Sequence, residues 1–117
     1  MREIKFRAWD NKLNKILEWI DIAYNDDPFF HEDRDYELMQ FTGLYDKNGK
    51  EIYEGDILKR PDLEINYIVV FNGGCFCIQD SKNKHHKLKL LDGISIFLGI
   101  IGNIYENPEL LEEKEWH

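Results

Sequence analysis

The 117-residue chain carries a net charge of −8, with 43% hydrophobic and 14% aromatic residues, which suffices for one hydrophobic core and excludes a wholly disordered protein. No run approaches the ~18 apolar residues that a membrane helix needs, and the start MREIKFRAWD is charged where a signal peptide turns apolar. A cytosolic protein with no membrane partner is therefore expected. The charge is uneven: Met1 to Leu17 has five bases against two acids, Glu18 to Glu37 one against eight, Leu38 to Tyr105 eight of each, and Glu106 to His117 one against five. Two acidic zones flanking a neutral body argue against nucleic acid as the default partner, because phosphate binding rests on clustered Lys and Arg.

In chain order, Ile4, Phe6 and Ala8 alternate with Lys5, Arg7 and Trp9, the period of two expected of a first strand. The turn-forming run DNKLNK follows. Ile16 to Tyr24 is ambiguous: Leu13, Ile16, Leu17, Ile20 and Tyr24 fit a helical stripe, whereas the aromatic and β-branched content, and a hairpin across DNKLNK, favour strand. Asn25 to Asp35 (NDDPFFHEDRD) has neither periodicity and concentrates acids around Pro28, so it reads as a loop, with Phe29 and Phe30 unusual in it. A third strand, Glu37 to Thr42, leads into TGLYDKNGKEIYEGDIL, where Asn48-Gly49 between apolar positions is a strong hairpin signal. Gly55 supplies a second reversal, and the Asp56 carboxylate is placed to accept amide hydrogen bonds at the start of the strand Ile57 to Arg60.

Glu64 to Asn72 and Cys75 to Asp80 form a further hairpin across Asn72-Gly73-Gly74. KNKHHKLK, from Lys82 to Lys89, is a basic loop or edge. Ile94 to Tyr105, broken at Gly99 and Gly102, predicts a central strand with a bend or bulge, and Asn107-Pro108-Glu109 opens a short helix through Leu111. About seven short strands with one terminal helix indicate a single mainly β domain, a small barrel or roll.

Three blocks, IKFRAWD (Ile4 to Asp10), LMQFTGLYDKNGKEIYEGDI (Leu38 to Ile57) and IIGNIYENPELL (Ile100 to Leu111), together resemble the YopX family of small proteins encoded by bacteriophages, prophages and related elements. The resemblance runs end to end and weakens over Leu13 to Glu37 and Pro61 to Gly93. It implies an SH3-like barrel and a phage or prophage product in a bacterial cytoplasm. It implies no catalytic residue, cofactor or substrate.

The chemistry-bearing residues fall into separate clusters. Cys75-x-Cys77 with His85 and His86 offers soft ligands, but the spacing is not the C-x2-4-C of structural zinc sites, and reduced strand thiols are the expected reading. Asp26, Asp27, His31, Glu32, Asp33 and Asp35 lack the glycine of a calcium loop. Asp46, Glu51, Glu54 and Asp56 could pair as acid and base, yet turn and strand-start roles account for two of them. No catalytic, metal or cofactor residue is assigned. The expected function is that of a non-enzymatic interaction module, binding a host or phage protein, or itself as a homo-oligomer, through Phe29 and Phe30 ringed by Glu32 and Asp33. The alternative is a nucleic-acid-associated protein, touching phosphate or an acidic surface through Lys84 and Lys87, or imitating nucleic acid through its acidic zones. A metal-dependent hydrolase is least favoured.

Overall fold

The structure, a computed structural model, describes residues 3–19, 35–83 and 87–111. Strand β1 (Phe6–Asp10) reverses into β2 (Lys15–Leu17) because the Asp10 carboxylate accepts the amides of Lys12 at 2.9 Å and Leu13 at 3.1 Å, while Asn14 takes a left-handed φ of 54°. β3 (Tyr36–Tyr45) runs antiparallel along the other side of β1, from Tyr36 opposite Asp10 to Gln40 opposite Phe6. β4 (Glu51–Tyr53) pairs with β3 and completes a sheet of order β2-β1-β3-β4. The turn between β3 and β4 depends on Gly49, whose φ of +80° strains any side chain even though a Cβ there would meet nothing within 4 Å.

The second sheet has order β8-β7-β6-β5-β9, built from β5 (Asp56–Arg60), β6 (Ile65–Asn72), β7 (Cys75–Asp80), β8 (Lys89–Leu90) and β9 (Gly99–Asn103), with every neighbouring pair antiparallel. Gly73-Gly74 closes the β6–β7 hairpin as a two-residue turn, both with positive φ, matching the right-handed strand twist. The fold is mainly β, its curled sheets forming a half-barrel. One buried cluster gathers Ile52, Leu58, Tyr67, Val69, Phe76, Ile78, Leu91 and Leu98, and a second gathers Trp9, Met39, Phe41 and Tyr53. Each fully buried aliphatic side chain contributes about 1.5–3 kcal/mol.

Cross-sheet contacts step along the molecule in one direction. Trp9 stacks on Tyr105 at one end, with centroids 5.9 Å apart. Arg7, on β1, meets Asp56, on β5, in the middle. Lys47 donates to the Leu98 carbonyl at the other end, where Gly99 lies opposite Lys59, next to Arg60.

Several expectations need correction. Among the described residues there are nine strands rather than about seven. Within Ile16 to Tyr24 only Ile16 and Leu17 lie in a strand and Trp19 is already helical, residues 20–24 being outside the described ones. Ile94 to Tyr105 is not one central strand but a 3-10 turn, Ser95–Phe97, followed by β9 at the sheet edge. The reason is that its amides are satisfied elsewhere: Ile94 and Ser95 bond the Leu91 carbonyl, Leu98 bonds Ser95, and Ile100 donates to the Asp46 carboxylate. The expected bulge is present, as a register shift opposite Ile57 and Leu58. At Gly102 a Cβ would stand 2.4 Å from Asn107 Oδ1, so the glycine admits this close approach. The expected C-terminal helix is a single 3-10 turn, Pro108–Leu111; Leu110 donates to Asn107 O, and its own carbonyl is taken by the Asn66 side-chain amide.

Candidate functional site

The acids of the central stretch are the groups that acid–base chemistry would use. Arg7, on β1, extends over the Tyr53 ring with its guanidinium 4.5 Å from the centroid and pairs with Asp56 on β5. Asp56 is 1% exposed and also accepts the Tyr53 amide at 2.8 Å, the role read from the sequence. Burial raises the Asp56 carboxyl to about 6, against the lowering effect of Arg7 and the Tyr53 amide. Burial also raises the Tyr53 phenol. One residue pair along the strands, Lys5 meets Glu51 and lies 4.8 Å from the Phe41 centroid; that hydrogen bond holds the Lys5 ammonium above its ordinary range.

Asp46 works differently. Its buried carboxylate accepts the amides of Asn48 at 2.8 Å, Lys50 at 2.9 Å and Ile100 at 3.0 Å. Burial pushes its carboxyl up, but the three amides outweigh that and hold it below the usual carboxylate range. Asp46, Glu51 and Asp56 are thus each engaged by backbone amides or a cation; Asp46, through Ile100, and Asp56, through Arg7, tie one sheet to the other, while Glu51 and Lys5 join within the first.

Open surface lies elsewhere. β1 covers β3 only as far as Gln40, with one further bond from the Phe41 amide to the Lys5 carbonyl. Beyond this point the β1 side of β3 faces a groove of about 620 Å³, bounded by Thr42 to Tyr45 on one wall and by Gly74 to Phe76, Leu90 and Asp92 on the other. Gly43, with φ 81°, sits in the irregular stretch of the β3–β4 register that bends this wall. Leu90 is 59% exposed and Tyr45 half-exposed. A hollow of about 300 Å³ continues the groove past Tyr45 and Asp92 to Ile96, which is 62% exposed.

Two further hollows, of about 210 and 320 Å³, share Tyr67, Ile78 and Lys89 and so form one second groove on the five-stranded sheet. Arg60, Lys87 and Lys89 supply cations to it and Asp80 an anion; Phe97, 63% exposed, stands at one end and Leu63 at the other. The Lys89 ammonium lies 5.8 Å from the Tyr67 centroid.

A family model described as YopX protein matches residues 5–112, nearly the whole chain. The chain belongs to the YopX family. The crystal structure of protein EF1440 from Enterococcus faecalis is similar to it at 28% identity with a TM-score of 0.68, over 96% of this chain and 100% of that one. No curated protein matches the sequence.

For this YopX-family chain, the sequence-predicted partner residues Phe29, Phe30, Glu32 and Asp33, and the predicted contact Lys84, lie outside the described residues. Lys87 is exposed and joins Lys89 at the second groove. Cys75 and Cys77 are both free thiols, one exposed and one buried; His85 and His86 are outside the described residues, which contain no group of three or more His, Cys, Asp or Glu placed to hold a metal. Sequence reasoning missed Tyr45, Leu90, Ile96 and Phe97. The last two belong to the apolar run assigned to a central strand, so hydropathy pointed inward; only the Gly93 reversal at the head of that run hinted otherwise.

Proposed function

We propose that this YopX-family protein is a non-enzymatic, phage- or prophage-encoded module of the bacterial cytoplasm that binds a partner protein in the groove beside β3. On this reading the half-barrel is an SH3-like barrel left open along one seam, and an extended partner segment lies in the opening. The carrying observation is the exposure of Leu90, Tyr45 and Ile96 around one continuous depression. Exposed apolar residues gathered at a concavity mark interaction sites, whereas scattered ones do not. The β3 wall offers strand backbone that β1 does not cover, suited to pairing with an added strand. Glu3 and Asp92 on the rim favour a segment that carries a cation.

Affinity purification from phage-carrying host cells would recover the partner, whose affinity for purified variants is then measured by calorimetry. Leu90→Lys combined with Ile96→Lys should weaken binding by at least ~30-fold, in line with losing two interface anchors. Ile101→Lys, at an exposed site outside both grooves, serves as the control. Equal affinity of the double variant and the control would overturn the reading.

A further inference from the structure

We infer that the second groove, around Arg60, Lys87, Lys89, Tyr67 and Phe97, receives the segment Asn25 to Asp35 of a second copy of this chain. This inference is independent of the partner-binding groove beside β3 and uses none of its residues. The chemistry matches on both sides. The groove has an apolar floor in Tyr67 and Ile78, with Phe97 at one end, and three cations, Arg60, Lys87 and Lys89. NDDPFFHEDRD presents two adjacent aromatics among five acids and one arginine. Acids within the groove region temper the match: Asp80 lines it, and Asp62 pairs with Arg60 at 2.9 Å. Lys87 and Lys89 therefore carry most of the attraction, at a site where apolar area is already exposed.

The topology assigns the occupant to another copy. Asp35, where the segment ends, is fixed by its carbonyl to the Asn11 amide beside the start of β3. From Tyr36 to Tyr45 the strand advances ~30 Å, and the cross-sheet contacts show that the Tyr45 end is also the Leu98, Lys59 and Arg60 end. Phe30 is five residues from Asp35, a reach of at most ~18 Å even when fully extended. The short reach from Asp35, set against the length of β3, favours delivery of Phe29 and Phe30 to another copy's groove. Two copies side by side and antiparallel bring each acidic segment to the other's groove, a closed two-fold arrangement with two equivalent contacts.

The test is sedimentation velocity of the full-length protein, whose monomer mass is 14.0 kDa, across a concentration series at low and high salt. A dimer that weakens with salt is expected. Lys87→Glu with Lys89→Glu, and separately Asp26→Lys with Asp27→Lys, should each weaken self-association by at least ~10-fold, since like charges then face each other. Mixing the two variants makes both contacts complementary again and should restore a mixed dimer. Circular dichroism of each variant confirms its fold. A monomer at every concentration, a dimer indifferent to both reversals, or failure of the mixture to recover would overturn the inference. So would binding of a single-stranded oligonucleotide that Lys87→Glu with Lys89→Glu abolishes in a protein that stays monomeric, because the groove would then serve phosphate.

Discussion

Asp46 and Asp56 stand ten residues apart, both buried and both bridging the two sheets, yet their carboxyls move in opposite directions. Three amides converge on Asp46; their dipoles are fixed by the turn and by β9, so the charged form is solvated by backbone. Asp56 has one amide and one guanidinium, and burial exceeds what these return. Burial depth alone therefore does not set the protonation of a structural carboxylate; the number and rigidity of its donors do.

Removing each carboxylate sharpens that contrast. Asp56→Ala leaves the largely buried Arg7 guanidinium without its carboxylate, and Arg7 Nε already lacks an acceptor among the described residues. A loss of about 3–5 kcal/mol in urea unfolding is expected, the size associated with breaking one side of a buried ion pair. Asp46→Ala strands three amides but no charge, and should cost about 2–3 kcal/mol, with backbone relaxation and water at the half-exposed rim recovering part of the loss. If Asp46→Ala proves the more damaging, the amide cage and not the ion pair is what holds the sheets together.

How much of this was legible in the sequence depended on range. The reversals at Asn48-Gly49, Gly55 and Gly73-Gly74, and the Asp56 contact with the Tyr53 amide, are set by neighbours within four residues, and turn chemistry discloses them. The bonds from Arg7 to Asp56 and from Ile100 to Asp46 span 49 and 54 residues, and no local pattern announces them. Ile96 and Phe97 are apolar inside an apolar run, so composition sent them to the core, while the carbonyl of Leu91 and the carboxylate of Asp46 captured the amides that a strand there would have needed. Of the site residues read from the sequence, Lys87 is exposed at the second groove, while Phe29, Phe30, Glu32, Asp33 and Lys84 lie outside the described residues; a charge signals exposure, and an apolar residue does not.

The pH dependence separates the two carboxylates by sign. Asp56 has a folded value of about 6 against an ordinary 3.8, so between these limits the folded state binds more protons than the unfolded one, and stability declines as pH rises from about 4 to 6. Asp46, held below its ordinary value, contributes stability that is present above about 4 and is lost as pH falls further. Comparing wild type with Asp56→Asn isolates the first effect: between pH 4 and pH 7 the wild type should lose about 2 kcal/mol relative to the variant, given ~1.4 kcal/mol for each pH decade of difference. Parallel curves for the two proteins would show that Arg7 keeps Asp56 ionised throughout.

The smallest effect is expected where the partner groove is. Leu90 and Leu91 are chain neighbours on the same edge of the five-stranded sheet, but Leu91 is wholly buried in the larger cluster and Leu90 faces the opening. A leucine that is already mostly in water has little transfer free energy left to lose, so Leu90→Lys should change unfolding stability by less than ~1 kcal/mol. The lysine stem still covers the flank of β7, and its ammonium reaches solvent near Asp92. A larger loss would mean that Leu90 closes the seam as part of the core, and the groove beside β3 would then be a gap in packing with no role in recognition. A neutral result leaves a large apolar side chain at the mouth of a concavity, in a place where folding does not require it.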